Sequence, residues 1–170
     1  MCKKRIGVLF GGRSEEHEVS LISASSVIRT LDSEKFVPIY IGITRNGKWK
    51  KYDGPAEKIQ DGSWEETATD LEPGQLSEIV DFALPILHGP YGEDGCIQGF
   101  LETLGIPYGG CGVLASAVSM DKQLFKQLMK ENSLPVCRYI SFTRKEALKD
   151  LQKAAFKVME AVGLPCFVKP

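Results

Sequence analysis

Two clusters of polar side chains in this sequence could carry chemistry, and each follows an apolar run that predicts a buried strand. The first follows residues 5–10 and contains three carboxylates and a histidine: Glu15, Glu16, His17 and Glu18. The second begins at His88, directly after the apolar residues 82–87, and continues as a glycine-rich acidic turn through residue 99. Ligands of open α/β sheets bind beyond the carboxyl ends of the strands, so both clusters are candidate ligand sites.

A carboxylate and an imidazole that face one crevice could hold a small zwitterion, the carboxylate by binding its ammonium group. This requires both strands to lie in one parallel sheet. A purely structural alternative stays open for each cluster. Acidic residues are favoured in a first helical turn, and a cap at Ser14 would explain Glu15 and Glu18 without a ligand. His88 could hydrogen-bond within its own turn.

Two lysines are further candidates. Lys122 begins a predicted helix, and Lys169 ends a predicted strand. A lysine at the end of a strand that faces a cleft commonly meets an anion, although most lysines are simply solvated. The dinucleotide fingerprint Gly-x-Gly-x-x-Gly and the phosphate loop Gly-x-x-x-x-Gly-Lys-Ser/Thr are absent, which excludes those two modes of nucleotide binding.

Composition excludes several other classes of function. The 170 residues carry 21 basic and 22 acidic side chains without a basic stripe, so we expect no nucleic-acid partner. No apolar stretch approaches the roughly 20 residues of a membrane span, and no signal-peptide pattern follows the first residues. We therefore expect a cytoplasmic protein without membrane contact.

The cysteines predict neither disulfides nor a structural metal site. They are five, widely scattered, without a Cys-x-x-Cys pair, and only two histidines accompany them. We expect most of these cysteines to serve as small apolar side chains within strands and helix faces, and a nucleophilic thiol is the alternative. The five are Cys2, Cys96, Cys111, Cys137 and Cys166.

Residues 1–112 alternate predicted strands and helices, which predicts an α/β fold with a doubly wound parallel sheet. We predict strands at residues 5–10, 36–43, 79–87 and 106–108. An apolar helical pattern, with Val19, Ile22, Val27 and Leu31 at i, i+3, i+8 and i+12, predicts the first helix. A second helical stripe (Ile97, Phe100, Leu101 and Leu104) should stop at Gly105.

Between these elements, Asn46-Gly47 predicts a hairpin with a type I′ turn that leaves the main sheet. Pro38 in the preceding strand indicates an edge or irregular position. Residues 53–75 are polar and lack a sustained period, so we expect an irregular insertion there.

Residues 113–170 predict the incomplete start of a second, α+β domain. Asp121 should cap a helix that carries Leu124, Phe125, Leu128 and Met129. A strand at 137–142, a helix from Arg144 to about Val162 capped by Thr143, and a strand at 163–169 that stops at Pro170 follow. Such a strand-helix-strand unit is too small to cover its own apolar face.

Residues 88–99 resemble, without a mismatch, the N-terminal signature of the D-alanine:D-alanine ligases, which are ATP-grasp carboxylate–amine ligases. Four other segments resemble this family in the same order: 11–20, 105–112, 119–122 and 163–170. The resemblance covers the whole chain except about residues 53–77. It implies a Rossmann-like pre-ATP-grasp domain over 1–112, followed by the truncated start of an ATP-grasp domain over 113–170.

The resemblance also implies residue roles. Glu16 would hold the ammonium of the first D-alanine, Val19 would line its pocket, and His88 would help to orient it. Lys122 and Lys169 match the two lysines that contact ATP. The implied reaction, a step of peptidoglycan synthesis, is phosphorylation of the first D-alanine by ATP and attack on the acyl phosphate by the amine of the second, with Mg²⁺ and lysines neutralising phosphate charge.

The family's Mg²⁺ ligands, its closing loop and its arginine, serine and tyrosine have no counterpart up to Pro170, so we expect no metal ligand in this chain and no turnover by it alone. The family is usually dimeric, which implies a homodimer. The alternative is a non-catalytic binding or dimerisation module derived from such a ligase. The identity of the second substrate, D-alanine, D-lactate or D-serine, is not determined by these residues.

Overall fold

The computed structural model describes residues 3–169, and the chain divides by its internal contacts into two units, one up to Met120 and one from Asp121 onward. Each unit is described by itself. The predicted domain boundary after residue 112 stays a prediction.

The first unit contains a mixed sheet rather than the parallel sheet that the sequence predicts. Within residues 3–120 the five strands are β1 (Lys4–Gly11), β2 (Phe36–Ile43), β3 (Trp49–Tyr52), β4 (Thr69–Asp70) and β5 (Phe82–Pro85), in the order β4-β3-β2-β1-β5. β1 pairs in parallel with β2 and β5, whereas β3 and β4 run antiparallel. The predicted hairpin therefore extends the main sheet instead of leaving it.

The hairpin also explains the proline in β2. β3 pairs only with the stretch of β2 from Tyr40 to Ile43, so Pro38 has β1 alone beside it, opposite Ile6. In the turn, Gly47 has a φ of +82° and its N–H donates to the carbonyl of Thr44. Asn46 is not in the left-handed region, so a type I turn followed by glycine replaces the predicted type I′ turn.

Five helices belong to the first unit: α1 (His17–Thr30), α2 (Ala56–Gln60), α3 (Leu76–Ile79), α4 (Cys96–Thr103) and α5 (Val113–Met120). The side chains of β1 alternate between two core clusters. Val8 and Phe10 pack with α1 and α2, whereas Leu9 packs in the cluster that contains α4. Both faces of the sheet are therefore covered, as a doubly wound fold requires.

The predicted first helix is present as α1, but its buried face does not follow the apolar pattern. Val19 and Ile22 are 51% and 52% exposed, and the helix instead buries Leu21, Ala24 and Ile28 together with two serines. Ser20 Oγ accepts from the N–H of Gly11 at 2.8 Å and donates to the carbonyl of Ile86. Ser25 Oγ donates to the carbonyl of Ala56 at 2.7 Å. These hydrogen bonds offset the desolvation of buried hydroxyls.

Residues 53–75 are more ordered than predicted. They contain α2, β4 and two short 3₁₀ helices, and Ile59 and Trp64 are fully buried. The Trp64 ring meets Phe10 edge-on, with 5.0 Å between centroids. The insertion thus completes the core cluster against α1.

Two predicted strands in this unit are shorter than expected. Of residues 79–87, only Phe82–Pro85 form a strand, and Ile79 is the last residue of α3. The predicted strand at 106–108 is a single parallel bridge between Ala83 and Tyr108. The predicted stop at Gly105 is present, with a φ of +67° just beyond α4.

The second unit contains α6 (Lys122–Glu131), α7 (Arg144–Lys149) and α8 (Leu151–Val162). Asp121 caps α6 as predicted, and Thr143 forms a capping box with Glu146. The predicted long helix is interrupted at Asp150, whose side chain caps α8.

The predicted strands at 137–142 and 163–169 do not form within the described residues. A strand needs a neighbour for its backbone hydrogen bonds, and no sheet is present in residues 121–169. Phe167 and Val168 are accordingly 96% and 90% exposed. Pro170 and Cys2 lie outside the described residues.

Three of the predicted filler cysteines, Cys96, Cys111 and Cys137, are exposed. They lie at a helix start or in extended segments rather than on buried faces, which corrects that expectation. Within residues 3–169, no helix combines the length and apolar character that crossing a bilayer would require.

Candidate functional site

The two predicted polar clusters meet at one edge of the first unit. Ser14, in the loop between β1 and α1, is the link between them. Its Oγ donates to the carbonyl of His88 at 2.7 Å and accepts from the N–H of Glu16 at 3.2 Å. The first cluster is thereby held against the turn that follows β5.

Glu16 reaches this turn through its side chain. Gly89 is buried with a φ of +68°, and a Cβ at this position would lie 2.5 Å from Glu16 Oε2. The carboxylate is exposed and makes no hydrogen bond or ion pair within residues 3–169. A charged acceptor is therefore available at this rim.

His88 is half-buried and faces α1 rather than its own turn. Its Nε2 lies 3.2 Å from Ser23 Oγ. Glu16, Val19 and Ser23 are spaced i, i+3 and i+7, so they share one face of the first helical turns. We call the group of Glu16, Val19, Ser23 and His88 the rim site: it combines a carboxylate, an exposed apolar side chain and a positioned imidazole.

The other members of the first cluster are used elsewhere. Glu18 forms an ion pair with Arg45, and this hydrogen-bonded guanidinium lowers the pKa of the Glu18 carboxyl. His17 is 4% exposed, and its Nδ1 lies 2.7 Å from the carbonyl of Gly12. Of the histidine and carboxylates in this cluster, Glu16 is the one that contacts the His88 turn.

The acidic residues of the His88 turn order its backbone. Glu93 Oε2 accepts from the N–H of Gly89 at 2.7 Å. Asp94 accepts from the N–H groups of Tyr91 and Cys96, at 2.8 and 3.1 Å, and hydrogen bonds to backbone N–H groups lower the pKa of Asp94 against the opposing effect of its burial. The turn is held in place before any ligand binds.

A pocket of about 300 Å³ lies beside the rim site. We call it the β1–α4 pocket. It shares His88 with the rim site, but neither Glu16 nor Val19 lines it. Its lining residues are Gly11, Gly12, Arg13, Ile43, Asn46, Gly47, Trp49, Leu87, His88, Pro90, Tyr91, Gly92, Cys96, Ile97 and Phe100.

The two predicted ATP lysines belong to the second unit. Lys122 is the first residue of α6, and Lys169 lies in an extended segment; both side chains are exposed. No group of three histidine, cysteine or acidic side chains in residues 3–169 could hold a metal ion. Residues 3–169 therefore contain no preformed metal site of this kind.

Three residues in or next to the rim site were not predicted from the sequence as site residues: Ser14, Ser23 and Gly89. The spacing of Ser23 relative to Glu16 and Val19 was available from the sequence and would have placed it on the same helical face. The link through Ser14 was not, because it depends on contact between residues 74 positions apart.

Comparison with known proteins decides the family. The family model described as D-ala D-ala ligase N-terminus matches residues 5–111. This chain belongs to that family. The matched span of the D-Ala–D-Ala ligase N-terminus contains the sheet, Glu16, Val19 and His88, whereas Lys122 and Lys169 lie beyond it.

Individual relatives agree with this assignment. A D-alanine–D-alanine ligase of Ruminiclostridium cellulolyticum is 42% identical over 100% of this chain and 52% of its own length. One from Acetivibrio thermocellus is 43% identical over 99% and 52%. The chain thus spans about half the length of the curated relatives that it matches.

Solved structures of the family show the same fold. The D-alanine-D-alanine ligase of Coxiella burnetii aligns with a TM-score of 0.78 at 32% identity, covering 91% of this chain and 50% of that one. The VanG D-Ala:D-Ser ligase of Enterococcus faecalis aligns with a TM-score of 0.76 at 38% identity, covering 94% and 49%. The N-terminal ligase fold is therefore common to relatives named for different second amino acids.

Proposed function

We propose that this chain supplies the first amino-acid site of an ATP-dependent D-alanine:D-alanine ligase of peptidoglycan synthesis. The observation that carries the proposal is the contact between the Glu16 carboxylate and the His88 turn, tied together by Ser14. Family membership supplies the chemistry, and the rim site supplies groups that suit a small zwitterion.

In this proposal Glu16 binds the ammonium group of D-alanine by a charge-assisted hydrogen bond. The exposed Val19 contacts the methyl group. His88, held through Ser23, orients the remainder of the substrate. Holding the amino acid in one orientation lets its carboxylate meet a phosphoryl group without a further entropic cost.

ATP would be bound in part by residues 113–170, which we propose as the start of an ATP-grasp domain. Lys122 and Lys169 would contact its phosphates. We assign no Mg²⁺ ligand to this chain, because the ligands that the family resemblance implies have no counterpart among its residues. A homodimer in the cytoplasm completes the proposal, and sedimentation of the purified chain tests the dimer.

The direct test is a titration of the ¹⁵N-labelled chain with D-alanine. We expect saturable shifts of the Glu16, Val19 and Ser23 amides. Glu16→Gln should weaken binding about tenfold or more, because hydrogen bonds to charged groups contribute about 1.5–3 kcal/mol. Glu18→Gln is the matched control, since Glu18 already pairs with Arg45. An equal loss of D-alanine affinity in both variants, or no loss in either, would contradict the proposed role of Glu16.

A further inference from the structure

We infer that the β1–α4 pocket is a second binding site, and that it takes a small aromatic carboxylate. Its volume of about 300 Å³ lies at the lower end of the range for small-molecule pockets and exceeds what the methyl side chain of alanine would fill. The inference does not rest on the proposed amino-acid function, because, apart from His88, the residues that line the pocket do not belong to the rim site.

The walls of the pocket suit a flat apolar body. Trp49 and Phe100 both line the pocket, and their rings contact one another on the same wall, with 5.4 Å between the ring centroids. Ile43 and Ile97 are 7% and 5% exposed and close the apolar wall. Aromatic rings recognise other rings through stacked and edge-to-face contacts in addition to burial.

The charge of the pocket suits an anion. Arg13 lies at its lining, and no aspartate or glutamate does. Within residues 3–169 the only partner of the Arg13 guanidinium is the ring of Tyr91, 5.2 Å from its centroid. The carboxylate of Asp94 accepts from the N–H groups of Tyr91 and Cys96 and forms no ion pair with Arg13 within residues 3–169.

Unpaired backbone N–H groups also favour an anionic ligand in this pocket. The N–H groups of Arg13 and His88, two residues that line the pocket, make no hydrogen bond within the described chain. Guanidinium groups and unpaired backbone N–H groups are both donors that bind carboxylates. The lining thus combines an aromatic wall with an anion-binding side, which selects an aromatic carboxylate over a neutral aromatic compound.

The two tryptophans provide a built-in test. Trp49 lines the pocket, whereas Trp64 is fully buried in the core cluster on the other face of the sheet. The ¹⁵N-labelled 170-residue chain is titrated with 2-naphthoate, and both indole N–H signals are followed. We expect a saturable shift of the Trp49 signal and none of the Trp64 signal.

Charge recognition is tested in two independent ways. Arg13→Gln should weaken naphthoate binding about tenfold or more, and neutral 2-naphthamide should bind the unaltered chain about tenfold more weakly than naphthoate. The amide comparison stands even where the Arg13 variant folds poorly.

Three outcomes would overturn the inference. They are the absence of a saturable Trp49 shift at millimolar naphthoate, equal shifts of both indole signals, and equal affinity for naphthoate and naphthamide. A loss of D-alanine binding that leaves the naphthoate result intact would count against the proposed function alone.

Discussion

Two glycines with nearly the same backbone conformation allow the contact between Glu16 and the His88 turn to be tested without changing a charged residue. Gly89 has a φ of +68° and Gly105 a φ of +67°. A Cβ at Gly89 would lie 2.5 Å from Glu16 Oε2 and 3.3 Å from Ser14 Cβ, whereas a Cβ at Gly105 would meet nothing within 4 Å. Gly89→Ala and Gly105→Ala should therefore destabilise the backbone to a similar extent, but only Gly89→Ala should displace the Glu16 carboxylate.

Each variant should lower the free energy of unfolding by about 1–2 kcal/mol, the cost of a side chain in the left-handed region. The additional loss of unfolding free energy in Gly89→Ala should be small, because the atom that must move, Oε2 of Glu16, is at the end of a flexible side chain. Both tryptophans lie in the first unit, so urea unfolding followed by tryptophan fluorescence reports the unit that contains both glycines.

Affinity for D-alanine should separate the two variants. Moving the Glu16 carboxylate away from the ammonium group should weaken binding about tenfold or more in Gly89→Ala, whereas Gly105→Ala should bind as the unaltered chain does. Affinity is measured from the Val19 and Ser23 amide shifts. Should Gly89→Ala retain full affinity at the same loss of stability, the carboxylate is not the ammonium ligand.

Three further predictions concern stability and turnover. Arg5 hydrogen-bonds Asp81 at 2.7 and 2.8 Å and lowers its pKa to about 2; the resulting stabilisation is present above the unfolded pKa of about 3.9 and is lost as pH falls towards 2. Asp81→Asn should therefore lower the urea midpoint of unfolding at pH 7. The midpoints of the variant and the unaltered chain should converge between about pH 4 and 2, and a difference between them that stays constant with pH would contradict this. A Cβ at Gly42 would overlap the buried Trp64 indole, so Gly42→Ala should cost about 1–3 kcal/mol or more, whereas Gly74→Ala, with open space around its Cβ, should cost far less. The chain mixed with ATP, Mg²⁺ and D-alanine should release no phosphate, because it spans about half the length of the ligases that it matches. Sustained release in a malachite green assay would show that this reasoning misplaces the catalytic groups.

Elements with local signals were predictable from the sequence. The apolar run of β1, the stop of α4 at Gly105 and the cap of α6 at Asp121 depend on residues within a few positions of each other. The meeting of Glu16 and His88 was also predictable in outline, because each follows a strand and β1 and β5 are parallel neighbours.

Elements that depend on distant partners were not predictable in this way. Trp64 lies in a polar segment, and its burial comes from Phe10 and Gly42 on the sheet. The β-branched and aromatic residues at 137–142 and 163–169 favour strands, yet no strand forms there within the described residues. Strand propensity mainly reflects packing against neighbouring strands, so without such neighbours it does not produce a strand.

The face that α1 buries has a consequence for the rim site. Counting apolar residues places Val19 and Ile22 in the core, but Ser20 and Ser25 occupy the core instead because each hydroxyl finds a backbone partner there. Rotating the helix to bury Val19 would turn Glu16 and Ser23, which share its face, away from the His88 turn. The buried serines therefore determine that Val19 is exposed at the rim, and a local rule of apolar burial is broken where the proposed amino-acid site needs an apolar side chain.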